Sequence, residues 1–384
     1  MLSHSFAVTG FSSLHESAPY TLFRLLTHFA TPAFIAMFGA MLELAYLPKL
    51  RSGNGEAAVK RLITRALQCY LLYEVTVAAL WLAGHGSAES SLRRVVLMGY
   101  MPLTGILRFY VIALVAAPLL LAIRRKFGLT PLLIFSVLAH LAHPIIQALP
   151  DVPEMPGRFY VFRVLDTLIG VGQQAQVPSL MHGLTLIIFG MAIGNATKNW
   201  MSGESARKHD GLRMFGVLAG MAGVPTLAMW SWAAPLDTVN ELALGTLRAV
   251  HHPLYYSSGA LGILLAVLLF TYLLDFRKLG FGKPIMFIGR TSLFTFSFGN
   301  SILFFAPSFA SDAATAFIWS LGLFALVCFQ SYAFYWLQSA SSEPGMPSAR
   351  IVRWAHALQA RLAGGTAHAV SGIAIHYARA LRLT

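Results

Sequence analysis

Nine long apolar stretches divide this chain, and the connections between them alternate in charge. About 20 apolar residues suffice to cross a bilayer as a helix. Backbone groups in lipid must pair internally, and these stretches are continuous rather than alternating, so helices are expected instead of a barrel. The sequence therefore predicts an all-α polytopic membrane helical bundle of about nine transmembrane helices. The stretches lie at about 21–47, 62–83, 103–123, 129–149, 177–197, 211–233, 254–275, 285–308 and 314–338.

Basic residues fall on every second connection, which is the pattern that orients membrane proteins with Lys- and Arg-rich loops in the cytoplasm. This pattern places the C-terminus in the cytoplasm and, with nine spans, the N-terminus outside. The basic groups are Lys49, Arg51, Lys60 and Arg61; Arg124, Arg125 and Lys126; Lys198, Arg207, Lys208 and Arg213; Arg277, Lys278 and Lys283; and those of the tail.

Composition supports a membrane protein and argues against a nucleic-acid-binding one. Apolar residues make up 57% of the chain and charged residues 11%, whereas soluble domains are nearer a quarter charged. The net charge of +13 sits in connections and in the tail, where it meets anionic lipid headgroups. We therefore expect the lipid bilayer as a partner and no nucleic acid. Cys69 and Cys328 lie in predicted spans and indicate neither a disulfide framework nor a metal site.

Two regions are expected, a transmembrane domain over 1–342 and a basic cytoplasmic tail over 343–384. In the tail, Ile351, Trp354, Leu358 and Leu362 share one helical face. The tail is therefore predicted to be an amphipathic helix on the inner leaflet, with a disordered tail as the alternative.

Ionisable residues inside the spans are costly and mark candidate functional positions. Arg24 and His28 lie four residues apart and share a helix face. His140 and His143 are three apart, a spacing that suits interhelical hydrogen bonds better than a metal site, so no metal is predicted. The candidates are Arg24, His28, Arg65, Glu74, Arg108, His140, His143 and Arg290.

Several of these residues also have a structural explanation. Arg24, Arg108 and Arg290 lie near span ends, where long basic side chains reach the interface. Glu74 is expected to pair with an Arg or His of a neighbouring helix. Motifs for nucleotide binding, zinc proteolysis and the serine nucleophile elbow do not occur in the sequence.

Small residues in the fifth and sixth spans predict close helix packing. Gly216 and Gly220 form a GxxxG spacing in the sixth span. The glycines concerned are Gly183, Gly190, Gly194, Gly211, Gly216, Gly220 and Gly223.

Five motifs together resemble the integral-membrane acyltransferases of acyltransferase family 3, nearest the membrane succinyltransferases of osmoregulated periplasmic glucans. They are His28-Phe-Ala-Thr-Pro-Ala-Phe-Ile-Ala-Met-Phe-Gly39, Lys60-Arg61-Leu-Ile-Thr-Arg65, Gly105-Ile-Leu-Arg-Phe-Tyr110 with Pro118-Leu-Leu-Leu, Phe189-Gly-Met-Ala-Ile-Gly194, and Ile288-Gly-Arg-Thr-Ser292-Leu. Phe38 stands where the family has Ser. Gly299 and Asn300 stand where a His usually follows the last motif.

The resemblance implies ten core spans with both ends cytoplasmic. Met1-Leu-Ser-His4 resembles the last turn of the family's first helix, so we expect that the first helix is truncated and that the start lies upstream. The resemblance makes His4 the general base or acyl relay. His28 is the rival because it lies in the membrane beside Arg24.

The resemblance also implies an acyl donor site. Arg61 and Arg65 would hold the phosphates of acyl-CoA, and positive-inside topology is their alternative explanation. Tyr110 would orient the acyl group, and a plain interfacial aromatic is its alternative. Arg24, Glu74 and Arg290 are the further intramembrane polar candidates.

The expected function is O-acyl transfer from cytosolic acyl-CoA, carrying succinyl or acetyl, to a hydroxyl of a periplasmic or cell-surface glycan. Acyl-CoA is then a co-substrate, no bound cofactor is expected, and the location is a bacterial inner membrane. Two alternatives stay open at this point. One is a multispan transporter or flippase without covalent chemistry, and the other is a degenerate, inactive family member.

Overall fold

The chain is all-helical wherever the structure describes it. The computed structural model describes the chain except for 15–16, 100, 150–160, 172–177, 203, 233–234, 274–276, 279–288, 290, 310–311, 341–369 and 384. Within the described ranges there are helices and connections and no strand. The prediction of an all-α chain with membrane-spanning helices is confirmed at this level.

The helices are numbered in chain order. They are α1 Leu2–Val8, α2 Phe11–Leu14, α3 Ala18–His28, α4 Ala30–Met41, α5 Leu47–Arg51, α6 Gly55–Leu82, α7 Ala88–Val95, α8 Gly105–Phe127, α9 Thr130–Leu141, α10 His143–Gln147, α11 Val161–Ile169, α12 Leu180–Trp200, α13 Ser205–Trp232, α14 Pro235–Leu244, α15 Thr246–Ala249, α16 Pro253–Thr271, α17 Ser292–Leu303, α18 Ala313–Ala340 and α19 370–380. A π-helical turn, Leu42–Tyr46, joins α4 to α5.

Six helical segments of the described chain are long and apolar enough to cross a membrane. They match the first, third, fifth, sixth, seventh and ninth predicted stretches. Their bounds are Tyr20–Arg51, Gly105–Phe127, Leu180–Trp200, Ser205–Trp230, Pro253–Thr271 and Ala313–Leu337. A multispan membrane protein is therefore supported, whereas the predicted count of about nine spans is not confirmed.

The other three stretches differ from the prediction for separate reasons. The stretch 62–83 is helical within α6, but Arg65, Gln68 and Glu74 lower its hydropathy. The stretch 129–149 is broken, because α9 ends at Leu141 and a five-residue helix with Pro144 follows. Pro144 has no N–H with which to continue the hydrogen bonds of α9. The stretch 285–308 lies partly outside the described residues, and its described helix has 12 residues.

The helices fall into two compact units. The first unit comprises Met1–Ser17, Ile63–Arg108 and Arg277–Tyr377, and the second comprises Ala18–Leu62, Phe109–Phe276 and Ala378–Thr384. The predicted amphipathic tail helix over Ile351–Leu362 lies outside the described residues, as does Arg290. The described part of the predicted tail is 370–383, of which 370–380 is helical.

In the second unit, α12 is the central helix and packs against α4, α9 and α13. A Cβ on Gly190 would lie 1.8 Å from the carbonyl oxygen of Ala36, and a Cβ on Gly39 would lie 1.9 Å from that of Ile187. Only glycine permits this approach of two backbones. The packing predicted for the fifth-span glycines is thus confirmed at Gly190.

The sixth-span glycines behave differently. Gly216, Gly220 and Gly223 on α13 would meet nothing within 4 Å if each carried a Cβ. The prediction of close packing was wrong for these three, because this face of α13 has no neighbouring helix among the described residues. Gly211 does contact α12, at Ala196.

A buried ion pair joins the π-helical turn of the second unit to α8. Arg124 donates to both carboxylate oxygens of Glu43, from Nε at 2.9 Å and from Nη2 at 2.7 Å. Asn195 of α12 donates to the same carboxylate at 3.2 Å. Arg124, which the sequence placed among the cytoplasmic topology charges, is therefore a structural residue as well.

In the first unit, α1 packs against α17 and α18. The hydroxyls of Thr9 and Ser320 lie 2.6 Å apart and are buried. The rings of Phe6 and Phe317 stack with centroids 5.9 Å apart. These contacts hold α1 in register against α18 and so position His4 on the side of α1 that faces α17.

Candidate functional site

His4 of the first unit lies on α1 and meets Asn300 of α17. The His4 Nδ1 atom and the Asn300 Oδ1 atom are 2.7 Å apart. The imidazole also contacts the edge of Phe296, one turn earlier on α17, with ring centroids 5.8 Å apart. Asn300 is fully buried. The two residues are nearly 300 positions apart in sequence, and the fold alone brings them together.

The second hydrogen bond of Asn300 determines which tautomer His4 adopts. Asn300 Nδ2 donates to the backbone carbonyl of Phe296 at 2.6 Å. The amide oxygen is therefore the atom that faces His4, and an amide oxygen only accepts hydrogen bonds. His4 consequently donates from Nδ1, and the lone pair of the neutral imidazole lies on Nε2. A histidine held in this way can take a proton at Nε2.

His28, the rival base, ends α3 in the second unit. Its Nε2 is buried and has no hydrogen-bond partner among the described residues. Its ring contacts the edge of Tyr255 with centroids 5.8 Å apart. Arg24, one turn earlier, lies over the ring of Tyr20 at 5.8 Å. The predicted shared face of Arg24 and His28 is present, but no acceptor group in the described part of the chain orients the His28 ring.

The predicted donor-binding residues occupy different environments. Arg61 and Arg65 are both exposed on α6, and Arg65 donates to Gln68 at 3.0 Å. Tyr110 is partly buried on α8, where its ring meets the edge of Phe38 with centroids 5.8 Å apart. Phe38 and Tyr110 thus form an aromatic pair.

The remaining intramembrane candidates add little chemistry. Glu74 is partly buried on α6, and its Oε1 has no hydrogen-bond partner within the described part of the chain. Tyr70, one turn earlier, donates its hydroxyl to the backbone carbonyl of Val95 at 3.1 Å. No Arg or His of the described residues forms the ion pair that the sequence predicted for Glu74. Arg290 lies outside the described residues.

A cluster of histidines in the second unit was not predicted as a group. His182 of α12 stacks on His251, with ring centroids 4.9 Å apart and planes 3° from parallel. Tyr256 lies 2.9 Å from His251 Nδ1 through its hydroxyl. The His140 ring lies 5.9 Å from that of His182. Buried nitrogens without a hydrogen-bond partner among the described residues are His140 Nδ1, His182 Nε2 and His251 Nε2.

The backbone around His251 explains how two imidazoles can stack so closely. His251 has φ +52°, and Gly170 has φ +81°. A Cβ on Gly170 would lie 2.5 Å from the His251 ring, so glycine is needed there for both reasons. Burial, assisted by the nearby His143, lowers the pKa of His251 to about 4. Its imidazole is therefore neutral near pH 7.

His143 ties this cluster to the connection before α16. His143 Nε2 donates to the backbone carbonyl of Val250 at 3.0 Å, and Gln147 donates to the same oxygen at 3.0 Å. His252 caps α16 by accepting from the backbone N–H of Leu254. These bonds connect helices, which is the role that the spacing of His140 and His143 predicted.

A metal site is not evident in the described chain. No group of three or more His, Cys, Asp or Glu side chains there has the arrangement of a metal site. Stacked rings such as those of His182 and His251 cannot both direct a nitrogen at one ion. Sequence reasoning missed the stacked pair because His182 and His251 belong to different predicted segments. The sequence feature that could have indicated this cluster is the adjacent pair His251 and His252, directly before the apolar stretch 254–275.

No protein-family model, curated protein or solved structure matches this chain. The family resemblance therefore rests on the motifs, and the function has to be argued from the site.

Proposed function

We propose that this chain is an integral-membrane O-acyltransferase in which His4 is the general base. The observation that carries the proposal is the 2.7 Å contact between His4 Nδ1 and Asn300 Oδ1. Asn300 faces His4 with its oxygen because its nitrogen is committed to Phe296. Asn300 stands where the resembled family usually has a His. The replacement of His by Asn therefore still supplies a polar partner for His4.

In the proposed reaction, Nε2 of His4 takes the proton of an acceptor hydroxyl while the hydroxyl oxygen attacks the thioester carbonyl of acyl-CoA. The carbon–sulfur bond breaks, and the CoA thiolate leaves and is then protonated. The donor carries succinyl or acetyl and comes from the cytosol. The acceptor is a hydroxyl of a periplasmic or cell-surface glycan, and the protein lies in a bacterial inner membrane with its C-terminus in the cytoplasm.

Arg61 and Arg65 are our candidates for the phosphates of acyl-CoA, since exposed guanidinium groups bind phosphate bidentately. Tyr110 is the candidate for orienting the acyl group. His28 is retained as the alternative base because its Nε2 is buried and has no hydrogen-bond partner within the described ranges. His4 is favoured because it has an orienting acceptor, Asn300, whereas His28 has none among those residues.

The test is CoA release by purified protein in liposomes, with acetyl-CoA or succinyl-CoA and a glycan acceptor. General base catalysis contributes roughly 10²–10⁴-fold, and we expect His4→Gln to lower kcat by that order. His28→Gln should leave kcat within about a factor of three on the same argument. His209→Gln, which changes an exposed histidine at the start of α13, is the matched control.

Each alternative predicts a different result. If His28→Gln is inactive and His4→Gln is active, the general base is His28 and not His4. Absence of CoA release with both donors and several glycans would reject acyl transfer. Movement of a glycan or lipid across the liposome membrane without CoA release would then establish the transporter.

A further inference from the structure

The segment 378–383, which follows from α19, is packed into the second unit. Ala378 and Leu383 are 0% and 1% exposed, and both belong to this unit. The sequence predicted this segment only as part of a basic cytoplasmic tail. Its buried residues show that it is instead held by contacts with the rest of the unit.

The backbone of the segment ends α19 with a Schellman motif. The N–H of Leu383 donates to the carbonyl of Ala378 at 2.9 Å, and the N–H of Arg382 donates to that of Arg379 at 3.0 Å. Arg382 has φ +52°, the left-handed conformation that this motif places just after a helix. In this turn Leu383 is buried, whereas the two arginines are exposed.

Gly55, the first residue of α6, is where this segment makes contact. A Cβ on Gly55 would lie 1.7 Å from the carbonyl oxygen of Leu383, so the two backbones touch and only glycine permits the approach. Segments in contact lie on the same side of a membrane. The charge pattern predicts a cytoplasmic position for both the connection before α6 and the tail, and the contact agrees with it.

The contact brings guanidinium groups from distant parts of the sequence to the start of α6. Arg61 lies less than about two turns along α6 from Gly55, and Arg379 and Arg382 lie in the segment that contacts Gly55. We call these three exposed arginines the arginine surface. No ion pair among the described residues includes any of them. Glu56 is the acid in the first turn of α6, so positive charge predominates here.

Exposed guanidinium groups without a carboxylate partner are suited to bind phosphate, which they can contact bidentately. Two sources of phosphate reach the cytoplasmic side of a membrane, namely an anionic lipid headgroup and a soluble nucleotide. A lipid such as phosphatidylglycerol carries one phosphate diester. CoA carries a diphosphate and a separate 3′-phosphate, which require cations at more than one place. Arginines from two segments match CoA better.

We propose that the docked segment 378–383 completes the binding surface for the phosphates of CoA, with Arg379 and Arg382 acting together with Arg61. The inference rests on the proposed function, because Arg61 is the candidate donor residue there. It adds that docking of Leu383 on Gly55 controls the affinity for the donor, since this contact positions both further arginines.

The first measurement is equilibrium binding of radiolabelled CoA to the full-length protein in a neutral detergent. Arg379→Gln combined with Arg382→Asn removes both charges, and asparagine tolerates the left-handed backbone at position 382. One exposed charge pair changes affinity by about 1.4- to 5-fold, so we expect the double variant to raise the Kd by about 2- to 20-fold. Arg213→Gln, at an exposed position of α13, is the matched control and should leave the Kd unchanged.

Gly55→Ala tests the docking without changing any charge. The new methyl has to displace the Leu383 carbonyl, so the Kd should rise by a similar factor. Adding the two arginine changes should then cause no further loss, because coupled changes are not additive. Gly216→Ala, whose methyl would meet nothing within 4 Å, is the control. If Gly55→Ala does not fold, the double variant still tests the inference, because both of its positions are exposed.

The outcomes separate this inference from the proposed function. If the unmodified protein binds CoA and the double variant binds it equally well, the inference is overturned and the proposed function stands. If the unmodified protein does not bind CoA, both fail. Phosphatidylglycerol retained by the protein in detergent, compared with phosphatidylcholine, tests the lipid source. Loss of phosphatidylglycerol in the double variant at unchanged CoA affinity would assign the arginine surface to lipid headgroups and overturn the proposal.

Discussion

The amide of Asn300 determines what His4 can do at the scale of single residues. Because Nδ2 is bonded to Phe296, the oxygen faces His4 and holds the proton on Nδ1. The motifs of the sequence single out His4, but they contain no signal that Asn300 would be its partner. Such a pairing across nearly the whole chain depends on the packing of α1 against α17, which local sequence does not encode.

Replacing Asn300 should therefore affect catalysis through His4. Asn300→Leu removes the acceptor and should lower kcat by up to about 10²-fold, less than loss of the base itself. Asn300→Asp keeps an oxygen in place and should retain most of the activity. The measurement is CoA release, with the thermal unfolding midpoint of each variant as a check on folding. A parallel loss in both variants, at unchanged unfolding midpoints, would contradict the role that we assign to the Asn300 oxygen.

At the scale of elements, sequence reasoning succeeded where a helix is one uninterrupted apolar stretch. It failed at 129–149, where Pro144 follows the end of α9, because overall hydropathy does not register a break in backbone geometry. It also could not tell which glycines face a neighbouring helix. Gly190 and Gly216 look equivalent in sequence, yet only Gly190 approaches another backbone.

These two glycines make a matched experiment. In Gly190→Ala the new methyl would lie 1.8 Å from the Ala36 carbonyl, so α4 and α12 must separate. We expect a loss of stability of about 1–3 kcal/mol, typical of overpacking. Gly216→Ala has open space and should be neutral or up to about 1 kcal/mol stabilising, because alanine favours helix. Thermal unfolding in detergent measures both, and equal effects would contradict the packing of α4 on α12.

At the scale of the whole molecule, charge alternation is the strongest sequence argument and spans all predicted connections. It predicts on which side of the membrane each connection lies, even where the neighbouring helix is only moderately apolar. Contacts between segments that are distant in sequence, in contrast, cannot be predicted from charge or hydropathy. Met1–Ser17 groups with Arg277–Tyr377 in one unit, and neither hydropathy nor charge in those segments indicates it.

The two criteria, charge alternation between connections and hydropathy of the helix, disagree on whether α6 crosses the membrane. It is not among the six strongly apolar helices, but the connections at its two ends are predicted to lie on opposite sides. Its 28 residues extend about 42 Å at 1.5 Å per residue, which is enough to cross a hydrocarbon core of about 30 Å. The connection after α6 holds Arg93, Arg94 and Glu89, a net charge of +1, and Arg93 pairs with Glu89. It is therefore less basic than the connection before α6, where Lys49, Arg51, Lys60 and Arg61 face only Glu56.

We therefore expect α6 to cross the membrane. In a chain with Cys69→Ala and Cys328→Ala, single cysteines at the exposed positions Ser52 and Ala88 would be treated in intact cells with a membrane-impermeant maleimide. Ala88→Cys should be labelled from outside, and Ser52→Cys only after permeabilisation. The cysteine-free chain controls for background. Labelling of both positions from one side would show that α6 does not cross, and the alternation would then fail at its second span.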